Sequence, residues 1–220
     1  MVYQPHIDVI GRPLWKSLRA LAPPRLRPAR SVLLRQGDPA THVILLESGS
    51  VLVTLTGPEG ESALLAIRGA GELLGELAVL DDKPRSATVV AAEECRVHIV
   101  PAPEFLAFVE RHGLLTPMLR HAITRVRESE TVRFELATAS VSVRLASALA
   151  RLVEAASAPA VERVVRLTQA ELSQMIGASR NAVGMALKPW REQGWVRTTP
   201  SGGLLVRNIR AIQSHARAQT

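Results

Sequence analysis

Residues 71–91 read Gly-Glu-Leu-Leu-Gly-Glu-Leu-Ala-Val-Leu-Asp-Asp-Lys-Pro-Arg-Ser-Ala-Thr-Val-Val-Ala, a glycine-punctuated acidic turn followed nine residues after Glu76 by Arg85 and Ser86. These are the residue types a phosphorylated ribose needs. A phosphate diester is gripped by a planar cation that meets two oxygens at once, and by backbone N–H groups that approach closely where glycine leaves room. A ribose hydroxyl needs an acceptor, which Glu76 supplies. On the residues alone the other possibility is a glycine turn with an Arg–Glu pair that only braces a sheet, although such a pair adds little stability.

The flanks fix the architecture around this stretch. Short apolar runs at 32–34, 43–46, 51–55, 63–67, 88–90 and 97–100 are separated by Gly37-Asp38, Gly49-Ser50, Gly57-Pro58-Glu59-Gly60 and Gly69-Ala70-Gly71. Regularly spaced short strands with no helical pattern between them predict an antiparallel sandwich or jelly roll. Upstream, Leu14, Trp15, Leu18 and Leu21 give a short helical preface that Pro23 and Pro24 stop. Downstream, Pro103 opens a helical region, and a longer helix runs from about Leu114 to beyond Phe134. Along it Leu115, Leu119, Ala122, Val126 and Ser129 alternate spacings of four and three, a coiled-coil-like seam that Arg133 interrupts. Such a helix is a spine for a symmetric dimer or an amphipathic helix lying on its own sheet.

The last third of the chain has its own signature. Thr168-Gln169-Ala170-Glu171 is a capping box that starts one helix, Gly177 lets the backbone turn, and Ser179 caps a second helix from Arg180. Ala182, Val183, Ala186 and Leu187 can face inward there, leaving Arg180, Asn181, Gly184, Met185 and Lys188 on the open side. Pro189 removes the N–H that would bond Met185, so the second helix is expected to bend or end there. Residues 195–199, the turn 200–203 and residues 204–207 read as a hairpin.

Charge separates the two ends. Residues 1–136 hold 16 basic and 16 acidic side chains, whereas residues 137–220 hold 11 and 4, so the whole formal +7 sits in the last 84 residues. A basic module beside a neutral one points to a polyanion, nucleic acid first, or to a merely soluble basic surface. Cys95 is the only cysteine, which excludes an intrachain disulfide and any four-thiolate site, and it reads as a small apolar strand residue. The six histidines show no metal-ligand spacing, so no metal site is expected. No apolar run reaches the roughly 18–20 residues needed to cross a bilayer, and no charged-then-apolar leader is present. The expected compartment is the cytoplasm.

Residues 71–91 resemble the phosphate-binding cassette of cyclic-nucleotide-binding domains, in which Gly-Glu-Leu-Ala, a short turn and Pro-Arg-Ser-Ala-Thr follow in this order and spacing. Residues 167–180 with Gly194-Trp195-Val196 resemble the winged helix-turn-helix of the Crp/Fnr family of bacterial transcription regulators. The likeness covers nearly the whole chain and implies an α+β fold: a cyclic-nucleotide-binding jelly roll (β-roll) over 1–113, a dimerisation helix over 114–136 and a winged helix-turn-helix over 137–220.

It also implies roles. Gly75, Glu76, Leu77, Arg85 and Ser86 would hold ribose and cyclic phosphate, with Ser129 near the purine and Glu130 where the partner subunit's serine or asparagine is commoner. Thr168, Gln169, Ser179, Arg180, Asn181, Met185 and Lys188 would meet double-stranded DNA, Arg180 reading a guanine edge. Asn181 and Met185 stand where the cyclic-AMP receptor proteins carry Glu and Arg, which shifts the expected half-site. The expected protein is a homodimeric, non-enzymatic regulator without a cofactor. Its effector is cyclic AMP, its partners are DNA and RNA polymerase, and it has no membrane contact. Cyclic di-GMP or no effector at all is the alternative, and a jelly-roll metal enzyme the remote one.

Overall fold

The computed structural model describes residues 4–155, 163–165, 167–199 and 203–218. The helical preface is two helices, α1 (His6–Ile10) and α2 (Arg12–Arg19), because Gly11 between them adopts φ +84°. Then come β1 (Pro24–Arg27), β2 (Val32–Leu34), β3 (His42–Ser48), β4 (Ser50–Thr56), β5 (Ser62–Gly69) and β6 (Leu73–Leu74). A short α3 (Glu76–Leu80), β7 (Thr88–Ala91), β8 (Cys95–Pro101) and α4 (Ala102–Arg111) complete the N-terminal elements. They build two antiparallel four-stranded sheets, β1-β8-β3-β6 and β2-β7-β4-β5, as expected for a jelly roll.

The run Val43-Ile44-Leu45-Leu46 shows why unbroken apolar stretches were needed. Ile44 and Leu46 point between the sheets with Leu34, Val51, Val89 and Val97. Val43 and Leu45 point to the other face, against Trp15, Leu18, Phe105 and Phe108 of α2 and α4. Alternate side chains of β3 are therefore buried on both faces. Cys95 opens β8, fully buried, as its sequence context predicted.

The long helix, α5 (Leu115–Thr138), has 24 residues, about 36 Å at 1.5 Å per residue. Two compact units divide within it: residues up to 128, apart from 62–64, and residues from 129 onward. The second unit contains α6 (Val141–Ala155), β9 (Arg163–Val165), α7 (Gln169–Ile176), α8 (Arg180–Glu192), β10 (Val196–Thr198), β11 (Leu204–Val206) and α9 (Ile209–Ala218). Its strands form an antiparallel sheet in the order β10-β11-β9, and α6 packs against α7, α8 and α9. The hairpin is present, with Thr199 N–H donating to the Gly203 carbonyl at 2.9 Å; its tip, 200–202, lies outside the described residues.

One expectation is corrected. α8 continues through Pro189 to Glu192. Leu187 and Trp190, buried on either side of the proline, hold the last turns against the unit's core, so the lost Met185 hydrogen bond does not end the helix.

Candidate functional site

Arg85 is held at the centre of the cassette by backbone carbonyls. Its side chain is only 4 % exposed, and its guanidinium donates from Nη1 to the Gly75 carbonyl at 2.7 Å and from Nη2 to the His42 carbonyl. Its backbone is tied on both sides, with Arg85 N–H to the Asp38 carbonyl and Gly37 N–H to the Arg85 carbonyl, each at 2.9 Å. Two carbonyls therefore fix the plane of the fork and leave further N–H donors for an anion. Gly75 is required twice over: it adopts φ +79°, and a Cβ on it would collide with that guanidinium.

Glu76 follows at the start of α3, within electrostatic reach of Arg85. Burial pushes its carboxyl up, while His6 opposes the shift. Burial lowers Arg85 and lowers His42; Glu76 and Asp38 counteract the first shift, and Arg85 adds to the second. Ser86 is exposed beside Arg85, and Leu77 is exposed on α3. The structure thus gathers Gly75, Glu76, Leu77, Arg85 and Ser86 around one turn. Ser129 and Glu130 are exposed on α5, where the second unit begins.

A buried polar cluster next to the cassette was not legible in the sequence. His6 Nδ1 lies 2.5 Å from Glu72 Oε2 and 3.3 Å from the Leu73 amide nitrogen, and His6 Nε2 lies 3.6 Å from Glu76 Oε1. The His6 and His121 rings meet edge to face at 4.1 Å. Glu72 Oε1 pairs with Arg125 Nη2, and Arg125 Nε–H donates to His121 Nε2 at 3.3 Å. His6, Glu72 and His121 bring possible metal-ligating atoms within 4.8 Å of one another, although 115 residues separate the two histidines. The guanidinium of Arg125 donates to both Glu72 and His121, so two of these three candidate ligands are already engaged by a cationic side chain. With Nε2 accepting, the proton of neutral His121 sits on Nδ1, which has no hydrogen-bond partner among the described residues. Burial, then His6 and Arg125, lower His121 to about 4.

In the second unit the capping box forms as read: Thr168 Oγ1 accepts from Glu171 N–H at 3.2 Å, and Glu171 Oε2 accepts from Thr168 N–H at 2.8 Å. The Thr168 hydroxyl also donates to that carboxylate at 3.0 Å, so its proton is committed within the helix. Ser179 Oγ accepts from Ala182 N–H at 3.1 Å, leaving its own proton for a phosphate oxygen. Gly177 takes φ +57°, the left-handed turn between α7 and α8. Arg144 of α6 braces that turn, donating to the Ile176 carbonyl at 2.9 Å.

Val183, Leu187 and Trp190 bury one face of α8, while Arg180, Asn181, Met185 and Lys188 are exposed on the other, Met185 by 69 %. Gln169, half-buried at the start of α7, lies alongside Gly184. That is the layout of a recognition helix, anchored by its apolar stripe and presenting an open face of Arg180, Asn181 and Lys188 around Met185.

A jelly roll bearing this cassette, followed by a winged helix-turn-helix, is the architecture of a DNA-binding transcription regulator with a cyclic-nucleotide-binding domain. The family model "Cyclic nucleotide-binding domain" matches residues 25–112, and "Crp-like helix-turn-helix domain" matches residues 143–214. The cyclic AMP receptor protein of Thermus thermophilus is 31% identical over 193 residues, covering 87% of each chain. A CRP-like cAMP-activated global transcriptional regulator of Mycobacterium tuberculosis is 27% identical over 174 residues, covering 77% of this chain and 78% of its own. Among solved structures, the c-di-GMP-responsive global regulator CLP of Xanthomonas campestris superposes with a TM-score of 0.71 at 20% identity, covering 89% of this chain and 98% of its own. The chain belongs to the Crp/Fnr family of DNA-binding transcription regulators, with a cyclic-nucleotide-binding domain at its N-terminal end. These relatives are regulators rather than enzymes.

Proposed function

We propose that this chain is a homodimeric regulator whose affinity for DNA is set by cyclic AMP held at Gly75, Glu76, Leu77, Arg85 and Ser86, with Ser129 and Glu130 completing the purine end. The observation that carries the reading is the buried Arg85, its fork oriented by two backbone carbonyls beside an acidic acceptor. A buried guanidinium that keeps unused donors gains most from a bound anion, and a phosphate diester meets it bidentately. Cyclic AMP is favoured over other phosphorylated nucleosides because relatives matching most of this chain are named a cyclic AMP receptor protein and a cAMP-activated regulator.

The seam of α5 supports the dimer. Leu115, Leu119 and Val126 stand 57–60 % exposed, an apolar row that a second copy of the helix would bury. In that dimer the nucleotide stabilises the arrangement in which both α8 helices meet successive major grooves about 34 Å apart. Gln169, Ser179 and Lys188 then engage the DNA backbone while Arg180, Asn181 and Met185 read bases; Thr168, whose hydroxyl and N–H both donate to Glu171, serves that contact by setting the start of α7. The domain limits that serve this reading are 1–113, 114–136 and 137–220, and RNA polymerase is the further partner, in the cytoplasm.

Calorimetric titration of the purified protein with cyclic AMP, cyclic GMP and cyclic di-GMP tests the effector. Saturable heat with cyclic AMP, lost in Arg85→Ala, is expected. Heat with cyclic di-GMP alone would shift the assignment to the ligand named for the Xanthomonas regulator, and heat with none would remove the effector from this reading.

A further inference from the structure

The N-terminal helix enters the cassette through His6, a buried side chain without a role in the function proposed above. We propose that His6 is a positioning residue for the Glu76 carboxylate, which makes α1 a working part of the effector site and a determinant of ribose recognition. The inference rests on the nucleotide reading of that site.

Four observations converge on it. The ring is 4 % exposed and wedged between two carboxylates, Glu72 at 2.5 Å from Nδ1 and Glu76 at 3.6 Å from Nε2. Nδ1 is met by both the Glu72 carboxylate and the Leu73 amide, which fix the ring along one edge and leave Nε2 turned toward Glu76. Glu72 is held in turn by Arg125 of α5, so the ring rests on a braced support rather than a loose one. The helix that carries His6 is fastened to the cassette itself: Ile7 N–H donates to the Gly71 carbonyl at 2.9 Å. Gly71 has φ +90°, and the Ile7 methyl fills the space where a Cβ would go, so close approach of α1 is built into the sequence.

Glu76 thus has a neighbour that cannot drift. Burial works against its ionised form and His6 works for it. An ionised carboxylate held in place is the stronger acceptor for a ribose 2′-hydroxyl, and a hydrogen bond to a charged group discriminates more sharply than one to a neutral group.

The test compares cyclic AMP with its 2′-deoxy analogue by calorimetry on the full-length protein. The wild type is expected to bind cyclic AMP at least about tenfold more tightly than the analogue, the scale of one charge-assisted hydrogen bond. His6→Ala is expected to bring the two affinities within about threefold by weakening cyclic AMP alone, and His6→Gln, whose amide N–H can still donate to a carboxylate, to recover part of the preference. Two results overturn the inference: a His6→Ala variant that keeps the wild-type preference, or one that loses affinity for both nucleotides equally, which is the mark of a purely structural residue. A wild type that binds both nucleotides equally overturns it as well. A wild type that binds neither overturns the nucleotide reading, and the inference with it.

Discussion

At the scale of single residues, the proposed effector site and its surroundings are built from buried and partly buried charges. Arg85, Glu76, Glu72 and Arg125 are shielded from water, where unpaired charges are costly, and each is met by a fixed partner. His121 is the member of the cluster that pays for this arrangement on acidification. Its proton affinity falls from the ordinary 6.5 to about 4 in the folded chain, so between those values the unfolded chain holds more protons. Stability therefore falls as pH falls through that window, by up to about 3 kcal/mol from this group. Urea unfolding from pH 7 to pH 4 should show a steeper loss for the wild type than for His121→Gln; parallel profiles would mean that His121 titrates normally. On the DNA side, Arg180→Ala should cost about 1–3 kcal/mol of discrimination at one base pair while leaving nucleotide affinity intact. Selection from random DNA sequences measures the first effect, and calorimetry the second.

Elements were legible in proportion to how much of their pattern is local. Runs such as Val43–Leu46 and the Thr168–Glu171 box are self-contained signals, and both formed. β1 at Pro24–Arg27 was hidden by Pro24, by its flanking prolines and by an exposed Leu26, because it is an edge strand paired with β8 among the described residues. β6 is two residues long, and α3 lies inside a stretch dominated by turn signals. The ends of α8 depended on Trp190, whose burial overrode the proline. The cluster of His6, Glu72, His121 and Arg125 was beyond any local pattern, since its members come from three distant segments. α5 offers a direct test of assembly. Leu119→Arg places a charge in the middle of the exposed apolar row, and sedimentation should show the wild-type dimer replaced by monomer. An unchanged dimer would locate the interface elsewhere.

At the scale of the molecule, a balanced N-terminal module and a C-terminal end carrying the net +7 divide the labour. In the proposed function the first takes a small anion and the second DNA, whose affinity should accordingly weaken as salt rises. An effector can favour DNA binding only by binding more tightly to the DNA-competent state, so the proposed function requires both ligands to report on one equilibrium. That is the central claim, and fluorescence anisotropy on a selected operator, with and without saturating cyclic AMP at fixed salt, tests it most directly. The account predicts at least a fivefold tightening in the wild type, the lower end of ordinary coupling energies, and none in Arg85→Ala. Equal operator affinity with and without the nucleotide in the wild type would contradict it.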